Sequence, residues 1–267
     1  MEKPEKLGRE SAFSYTCNQC TACCHGAHIP LDPHEIARLA RNLKMQTGEF
    51  IAGHLIEGGI VLKNRVDGAC SMLREGNCSV YADRPTICRT YPLSRRTRAG
   101  VEEFLKPKLL SASKGIYGAS GTVDGFLKAH DADSFAAASD RYFNLVKQII
   151  ETLGATIRSA PDLFGPVRET MQLHYDLRAE APVPELIDVD RVVAEYCRTK
   201  EIVPPTDVEG SIAIHIAAIE EKLAALNAAE TVRCSSNAAK PGVRAVAACA
   251  SSSRIQSLWS SMANSSI

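Results

Sequence analysis

The sequence predicts a mainly α-helical protein with a few short strands, in which a small metal-centred cysteine domain packs on a helical C-terminal region. Three observations predict it. Seven of the ten cysteines (Cys17, Cys20, Cys23, Cys24, Cys70, Cys78 and Cys88) fall before residue 90. From about residue 131 to residue 227, apolar residues recur at helical spacing without clustered cysteines. The chain has 267 residues, 45% hydrophobic and 23% charged, enough to bury a core without disulfides. The expected organisation is a flexible N-terminus over 1–12, a cysteine-cluster metal-binding domain over 13–110, a helical region over 111–227 and a disordered tail over 228–267.

Taken in order, "MEKPEKLGRE" at the start is charged and lacks the apolar stretch of a secretory signal, and no later run approaches about 18 apolar residues. A cytoplasmic location without membrane contact is therefore expected. A formal net charge of zero gives no global attraction to nucleic acid. In a reducing compartment, clustered cysteines point to metal or redox chemistry rather than to disulfides.

"LDPHEIARLARNLKM" reads as a helix. Asp32 can cap it, Pro33 suits its first turn, Glu35 occupies the capping-box position, and Ile36, Leu39, Ala40 and Leu43 share one face. "TGEFIAGHLI" predicts a second short helix. "GGIVLKN" and "ACSML" read as short strands, with "REGN" as a turn that brings Cys70 near Cys78. Further on, Phe135, Tyr142, Leu145, Ile149 and Leu153 form one helical stripe, and Ile212, Ile216, Ile219, Leu223 and Leu226 form another. "DVDRVVAEYCRTK" is a helix in which Cys197 is a buried small hydrophobe. The last forty residues hold ten serines, nine alanines and one acidic residue, a composition that cannot offset its ordering entropy, so Cys234 and Cys249 are discounted as ligands.

The chemistry centres on "TCNQCTACCHG". Cys17, Cys20 and Cys23 are spaced C-x2-C-x2-C, which lets a tight loop turn three thiolates toward one centre. The same spacing opens both iron–sulfur and zinc sites. Cys24 is harder to place. Adjacent residues point apart, so Cys23 and Cys24 do not easily serve one tetrahedral metal, and their Cα atoms are too close for an unstrained disulfide. Cys70, Cys78 and Cys88 supply the second half. Seven thiols exceed one four-thiolate site and fall one short of two, so either one [4Fe-4S] cluster leaves spare thiols or two zinc sites recruit His25 or His28. Arg84 and Arg89 are the expected cofactor-binding arginines, offsetting thiolate charge and donating to sulfur. Arg95, Arg96 and Arg98 are expected in a solvated basic loop, which makes nucleic-acid contact the weaker reading.

"CNQCTACCHGAHIPLDPHEIARLA", "GACSML" and "NCSVYADRPTICRTYP" together resemble the YkgJ-like cysteine-cluster family, described as carrying a zinc- or iron-chelating CxxCxxCC domain. The resemblance spans roughly residues 13 to 108 and includes Tyr81, Arg84, Pro85, Cys88, Arg89, Tyr91 and Pro92. It implies that Cys17, Cys20, Cys23, Cys24, Cys70, Cys78 and Cys88 are the chelating set. Some relatives carry a further cysteine beside Pro-Gly, where this chain has Ala112 and Ser113. Flagellin lysine N-methylase resembles the same broad group, which makes protein methyl transfer one alternative function. A structural zinc interaction module is another. The leading expectation is a [4Fe-4S] cluster, with zinc as the alternative, held by Cys17, Cys20 and Cys23 with one of Cys70, Cys78 or Cys88. It would act in a redox role on a protein substrate or redox partner.

Overall fold

The computed structural model describes residues 4–56, 60–98, 101–153 and 187–238. They form seven α-helices and nine short strands, with every paired strand antiparallel. The architecture is mixed α/β rather than mainly α, because the cysteine region is built chiefly on hairpins. The chain divides into two units, one made of residues 1–56 with 60–140 and the other of residues 57–59 with 141–267.

In the first unit, β1 (Glu5–Leu7), β8 (Val101–Lys106) and β7 (Ser94–Arg98) form a sheet in the order β1-β8-β7. The N-terminal segment expected to be flexible thus contributes an edge strand, held by the ion pairs Lys6–Glu103 and Glu5–Lys106. The expected basic loop is likewise strand β7. Arg96 stands opposite Glu103, and Arg95 donates to Glu102 and to both carboxylate oxygens of Asp140. Cross-strand charge pairing accounts for the placement of Arg95.

Strand β2 (Ala12–Thr16) pairs with β9 (Ile116–Thr122), and α4 (Val123–Ala129) packs beside them. Phe13, Leu93, Phe104, Val123, Phe126 and Leu127 are the core of this part. Arg9 ties it together by pairing with Glu102, Asp124 and Asp133.

Helix α1 (Pro33–Asn42) forms as its sequence dictates. Asp32 Oδ1 accepts from Glu35 N at 2.9 Å, Glu35 Oε2 accepts from Asp32 N at 3.2 Å, and Ile36, Leu39 and Ala40 are buried. Helix α2 (Thr47–His54) follows, then the hairpin of β3 (Leu55–Ile56) and β4 (Val61–Leu62). The hairpin of β5 (Leu73–Arg74) and β6 (Asn77–Cys78) turns at Glu75 and Gly76, with φ of 48° and 77°. Two successive left-handed residues match the twist of the strands they join, which explains the glycine in "REGN".

Helix α3 (Thr86–Thr90) carries Cys88, and α5 runs over Ala132–Leu153. In the second unit α6 (Val189–Lys200) packs on α7 (Val208–Ala238), burying Val193 and Cys197 with Ile212, Ile216, Ile219 and Leu223. Both stripes form as their spacing predicts; the side chains of Ile149, Leu153 and Leu226 lie outside the described residues. Helix α7 continues to Ala238, so the expected disordered tail begins as helix. Residues 239–267, with Cys249, lie outside the described residues.

Candidate metal centre

Cys17 follows directly on β2, where Thr16 pairs with Ile116. The loop then reverses through two residues in left-handed conformation, Gln19 (φ 49°) and Thr21 (φ 58°), into a 3₁₀ turn over Ala22–Cys24. Beyond the turn the chain is zipped to the second cysteine segment. His25 bridges Ala69, Gly26 N donates to Gly68 O at 2.8 Å, and Cys70 N donates to Cys24 O at 2.7 Å. With His25 opposite Ala69 in an antiparallel bridge, Cys24 falls opposite Cys70, and opposed residues share a face. The loop therefore presents Cys24, the cysteine with no obvious place in the C-x2-C-x2-C spacing, to the second half of the set.

Three of the sulfurs accept main-chain N–H groups two residues ahead. The amide of Ala22 reaches Cys20, that of Met72 reaches Cys70 with Leu73 added, and that of Val80 reaches Cys78. Cys20 also accepts from Lys114 N at 3.3 Å. Such bonds favour the thiolate, which is the form that ligates a metal. At Cys20 they outweigh burial, and the Lys114 amide holds this thiol below its ordinary range. At Cys70 and Cys78 burial is the larger effect and raises both thiols.

The sulfurs of Cys23 and Cys24 are 4.0 Å apart. Their shared S–H···S contact holds the Cys23 thiol down and pushes the Cys24 thiol up. Burial is also the first cause raising Cys88, ahead of Cys70, Glu35 and Cys78. The residue keeps solvent-exposed surface, so the crowding is one-sided.

Helix α3 is placed by two buried side chains. Glu35 Oε1 accepts from Thr86 N at 2.7 Å, so one carboxyl serves the starts of both α1 and α3. Arg89 is 3% exposed. It donates from Nε to Arg84 O at 2.9 Å, from Nη1 to His130 O at 2.9 Å and from Nη2 to Ala82 O, with its guanidinium 3.6 Å from the Phe135 ring centroid. Each of its nitrogens thus serves a carbonyl rather than a sulfur, so the expected charge-offsetting role does not describe Arg89. Burial, then the neighbouring Arg84, pushes its pKa down to about 10. Arg84 stacks on Tyr81, 3.9 Å from the ring centroid, and its charge favours the Cys78 thiolate. Helix α3 is too short to orient Cys88 alone, and the Arg89 fork fixes it against two main-chain segments, at Ala82 and Arg84 and at His130.

His25 lies at the zip, its Nδ1 3.0 Å from Thr21 O, and His28 is exposed. Tyr91, part of the family-like block, and Tyr15, which the sequence did not single out, flank the first cysteine loop, with ring centroids 6.0 Å apart and edge to face. An aromatic beside a CxxC loop is the sequence trace that Tyr15 leaves.

The donor set fits a thiophilic metal. Cys17, Cys20, Cys23, Cys24, Cys70, Cys78 and Cys88 are all free thiols, and the main chains of two of them, Cys24 and Cys70, are hydrogen-bonded to each other. Ser71 Oγ, beside Cys70, is buried without a hydrogen-bond partner, which leaves a donor there for a sulfur or a bound group. Among the described residues no three His, Cys, Asp or Glu side chains are arranged so that they could hold a metal ion. Binding therefore requires the thiols to close in, which couples it to local ordering.

No solved structure matches the chain. An uncharacterized protein of Methanocaldococcus jannaschii, MJ0661, is 25% identical over 149 residues, covering 54% of this chain and 72% of its own. The profile of the CxxCxxCC family, described as "Putative zinc- or iron-chelating domain", matches residues 16–109, from the end of β2 to just past β8, and takes in all seven clustered cysteines. Over that segment, about a third of its length, the chain is similar to the CxxCxxCC family of zinc- or iron-chelating domains.

Proposed function

We propose that the seven-cysteine region binds an iron–sulfur cluster and serves in electron transfer or redox sensing with a partner protein in the cytoplasm. The observation that carries this reading is the junction of the two cysteine segments, where Cys70 N bonds Cys24 O and main-chain amides point at Cys20, Cys70 and Cys78. Amide N–H···S bonds offset the charge that several thiolates bring to one place, and they tune cluster potentials. A cluster held there would supply one-electron transfer. The chain's own part is to supply thiolates, exclude water on the Cys70 and Cys78 side, and leave Cys17 and Cys88 with open surface.

Protein purified without oxygen is expected to be brown, to contain iron and acid-labile sulfide, and to show a visible band that bleaches on reduction. A colourless protein containing only zinc would overturn the cluster while leaving metal binding intact. The zinc reading has its own support in Cys70 and Cys78, whose amide-to-sulfur contacts two residues ahead sit on a tight hairpin, the way a structural zinc site is built.

A further inference from the structure

Five of the clustered thiols are gathered in one place. Cys23 lies within electrostatic reach of Cys70, Cys78 and Cys88, and Cys24 within reach of Cys23, Cys70 and Cys88. Reach alone does not decide which two sulfurs can join, but the main chain does. The His25–Ala69 bridge is flanked by the bonds from Cys70 N to Cys24 O and from Gly26 N to Gly68 O, so Cys24 and Cys70 occupy the next pair along, of the hydrogen-bonded kind. Residues in such a pair have Cα atoms about 5.5 Å apart, and a disulfide prefers about 5.5–6 Å. The sulfurs of Cys23 and Cys24 are 4.0 Å apart. Their neighbouring Cα atoms, however, are only about 3.8 Å apart, below the range a disulfide takes without strain. Cys78 stands opposite Leu73 rather than a cysteine, and Cys88 belongs to helix α3. Cys24 N donates to Thr21 O at 2.8 Å, inside the 3₁₀ turn, so one interstrand bond and not two holds the pair. Cys70 is tied on its other side by its bridge to Asn64, which leaves Cys24 as the residue free to shift. Both thiols are partly exposed, within reach of a small oxidant.

We propose that Cys24 and Cys70 form a reversible disulfide by exchange with a small disulfide of the glutathione type, and that this bond staples the first cysteine loop to the second cysteine segment. The exchange runs in two steps. The thiolate of one cysteine attacks oxidised glutathione, breaking its S–S bond and releasing one glutathione. The thiolate of the other then attacks the protein sulfur of the mixed disulfide, forming the Cys24–Cys70 bond and releasing the second glutathione. Two electrons pass from the chain to glutathione, and the two cysteine protons end on the two released thiols. Disulfides of this kind, formed in a reducing compartment, are transient and redox-sensing. The bond needs no bound metal, and it goes beyond the metal-binding reading by giving two of the seven thiols a competing covalent state.

Disulfide mapping of the full chain tests it, after reduction, removal of metal with a chelator and anaerobic treatment with oxidised glutathione. Two thiols should be lost with no glutathione retained on the chain. Trypsin should then release Glu10–Arg38 joined to Val66–Arg74, a fragment whose single cysteine is Cys70. Cys24→Ser should abolish that link, and Cys23→Ser should keep it. The link should dominate in the folded chain and become one of many in urea, where it competes with every other pairing of the ten cysteines. No loss of thiols, a stable glutathione adduct, a link that survives Cys24→Ser, a link from Val66–Arg74 to the fragment carrying Cys78 and Cys88, or the same mixture with and without urea overturns the proposal. None of these outcomes bears on metal binding, which iron, sulfide and zinc analysis of the untreated chain reads separately.

Discussion

Between α6 and α7 the buried side chains are Val189, Val192, Val193, Cys197, Ile212, Ile216, Ile219 and Leu223, with His215 the polar member. Around the cysteine segments the buried set includes Glu35, Thr47, Arg84, Arg89 and Thr90, and the ties between segments are directional bonds to main-chain atoms. The helical unit is stabilised by apolar area, which tolerates small displacements. The cysteine unit has its own apolar core and adds donors and acceptors that must meet, so each lost partner leaves a buried group unsatisfied. The difference suits their tasks, since a metal site needs ligands fixed to within fractions of an ångström.

Metal loss should separate the two units most sharply. Chelation under reducing conditions is expected to cost the cysteine unit several kcal/mol, because ligand ordering and metal binding are one process there. Hydrogen exchange should then rise over 17–28 and 69–90 while α6 and the described part of α7 keep their protection. Equal loss of protection in both units would contradict the contrast.

Arg89→Met comes next. It leaves the carbonyls of Ala82, Arg84 and His130 without their donor, and at about 1 kcal/mol or more for each buried acceptor the cost is about 3 kcal/mol. Urea titration followed by far-ultraviolet dichroism would measure it. Lysine cannot restore the fork, so Arg89→Lys should recover little. Ile212→Ala, at a fully buried position of α7, should cost about 2–4 kcal/mol through a cavity and leave metal binding unchanged.

These two arginine and isoleucine positions also show what a sequence can reveal. Ile212 is legible because the helical period repeats across α7, and the Asp32–Glu35 capping box and the "REGN" turn are legible because each is complete within four residues. Arg89 is not. Its partners are carbonyls of Ala82, Arg84 and His130, and no residue type marks a carbonyl as an acceptor. Glu35 shows its local cap in the sequence, while its second bond, to Thr86 51 residues away, has no local trace. The strands β7 and β8 were hidden by their charge, since "SRRTR" has no apolar alternation. The opposite signs of Arg95 and Arg96 against Glu102 and Glu103 are the signal that could have exposed the hairpin. Of the site, the seven cysteines were legible from spacing, and the pairing of Cys24 with Cys70 was not, because it depends on a bridge between segments 44 residues apart.

Glu35 offers the most specific test of the contrast, because its effect depends on pH. Burial, and secondarily Asp32, raises its carboxyl to about 8 in the folded chain, against the ordinary value near 4.5, although Thr86 N and Asp32 N both donate to it. Below pH 4.5 both folded and unfolded states hold the proton, and stability does not depend on this group. Between about pH 5 and pH 8 the unfolded chain has released the proton and the folded chain retains it, so stability falls as pH rises. Glu35→Gln removes that dependence. Its carbonyl can still accept from Thr86 N, but its amide presents a donor to Asp32 N, costing about 1 kcal/mol as a lost cap. The variant should therefore be less stable than the parent near pH 5, and the gap should close or reverse by pH 8. The change amounts to about 1 kcal/mol or more per pH unit over the range in which only the folded chain keeps the proton. Urea midpoints measured at pH 5, 6.5 and 8 would show it. A gap that stays constant with pH would mean that Glu35 is ionised in the folded protein and that its two N–H partners outweigh burial.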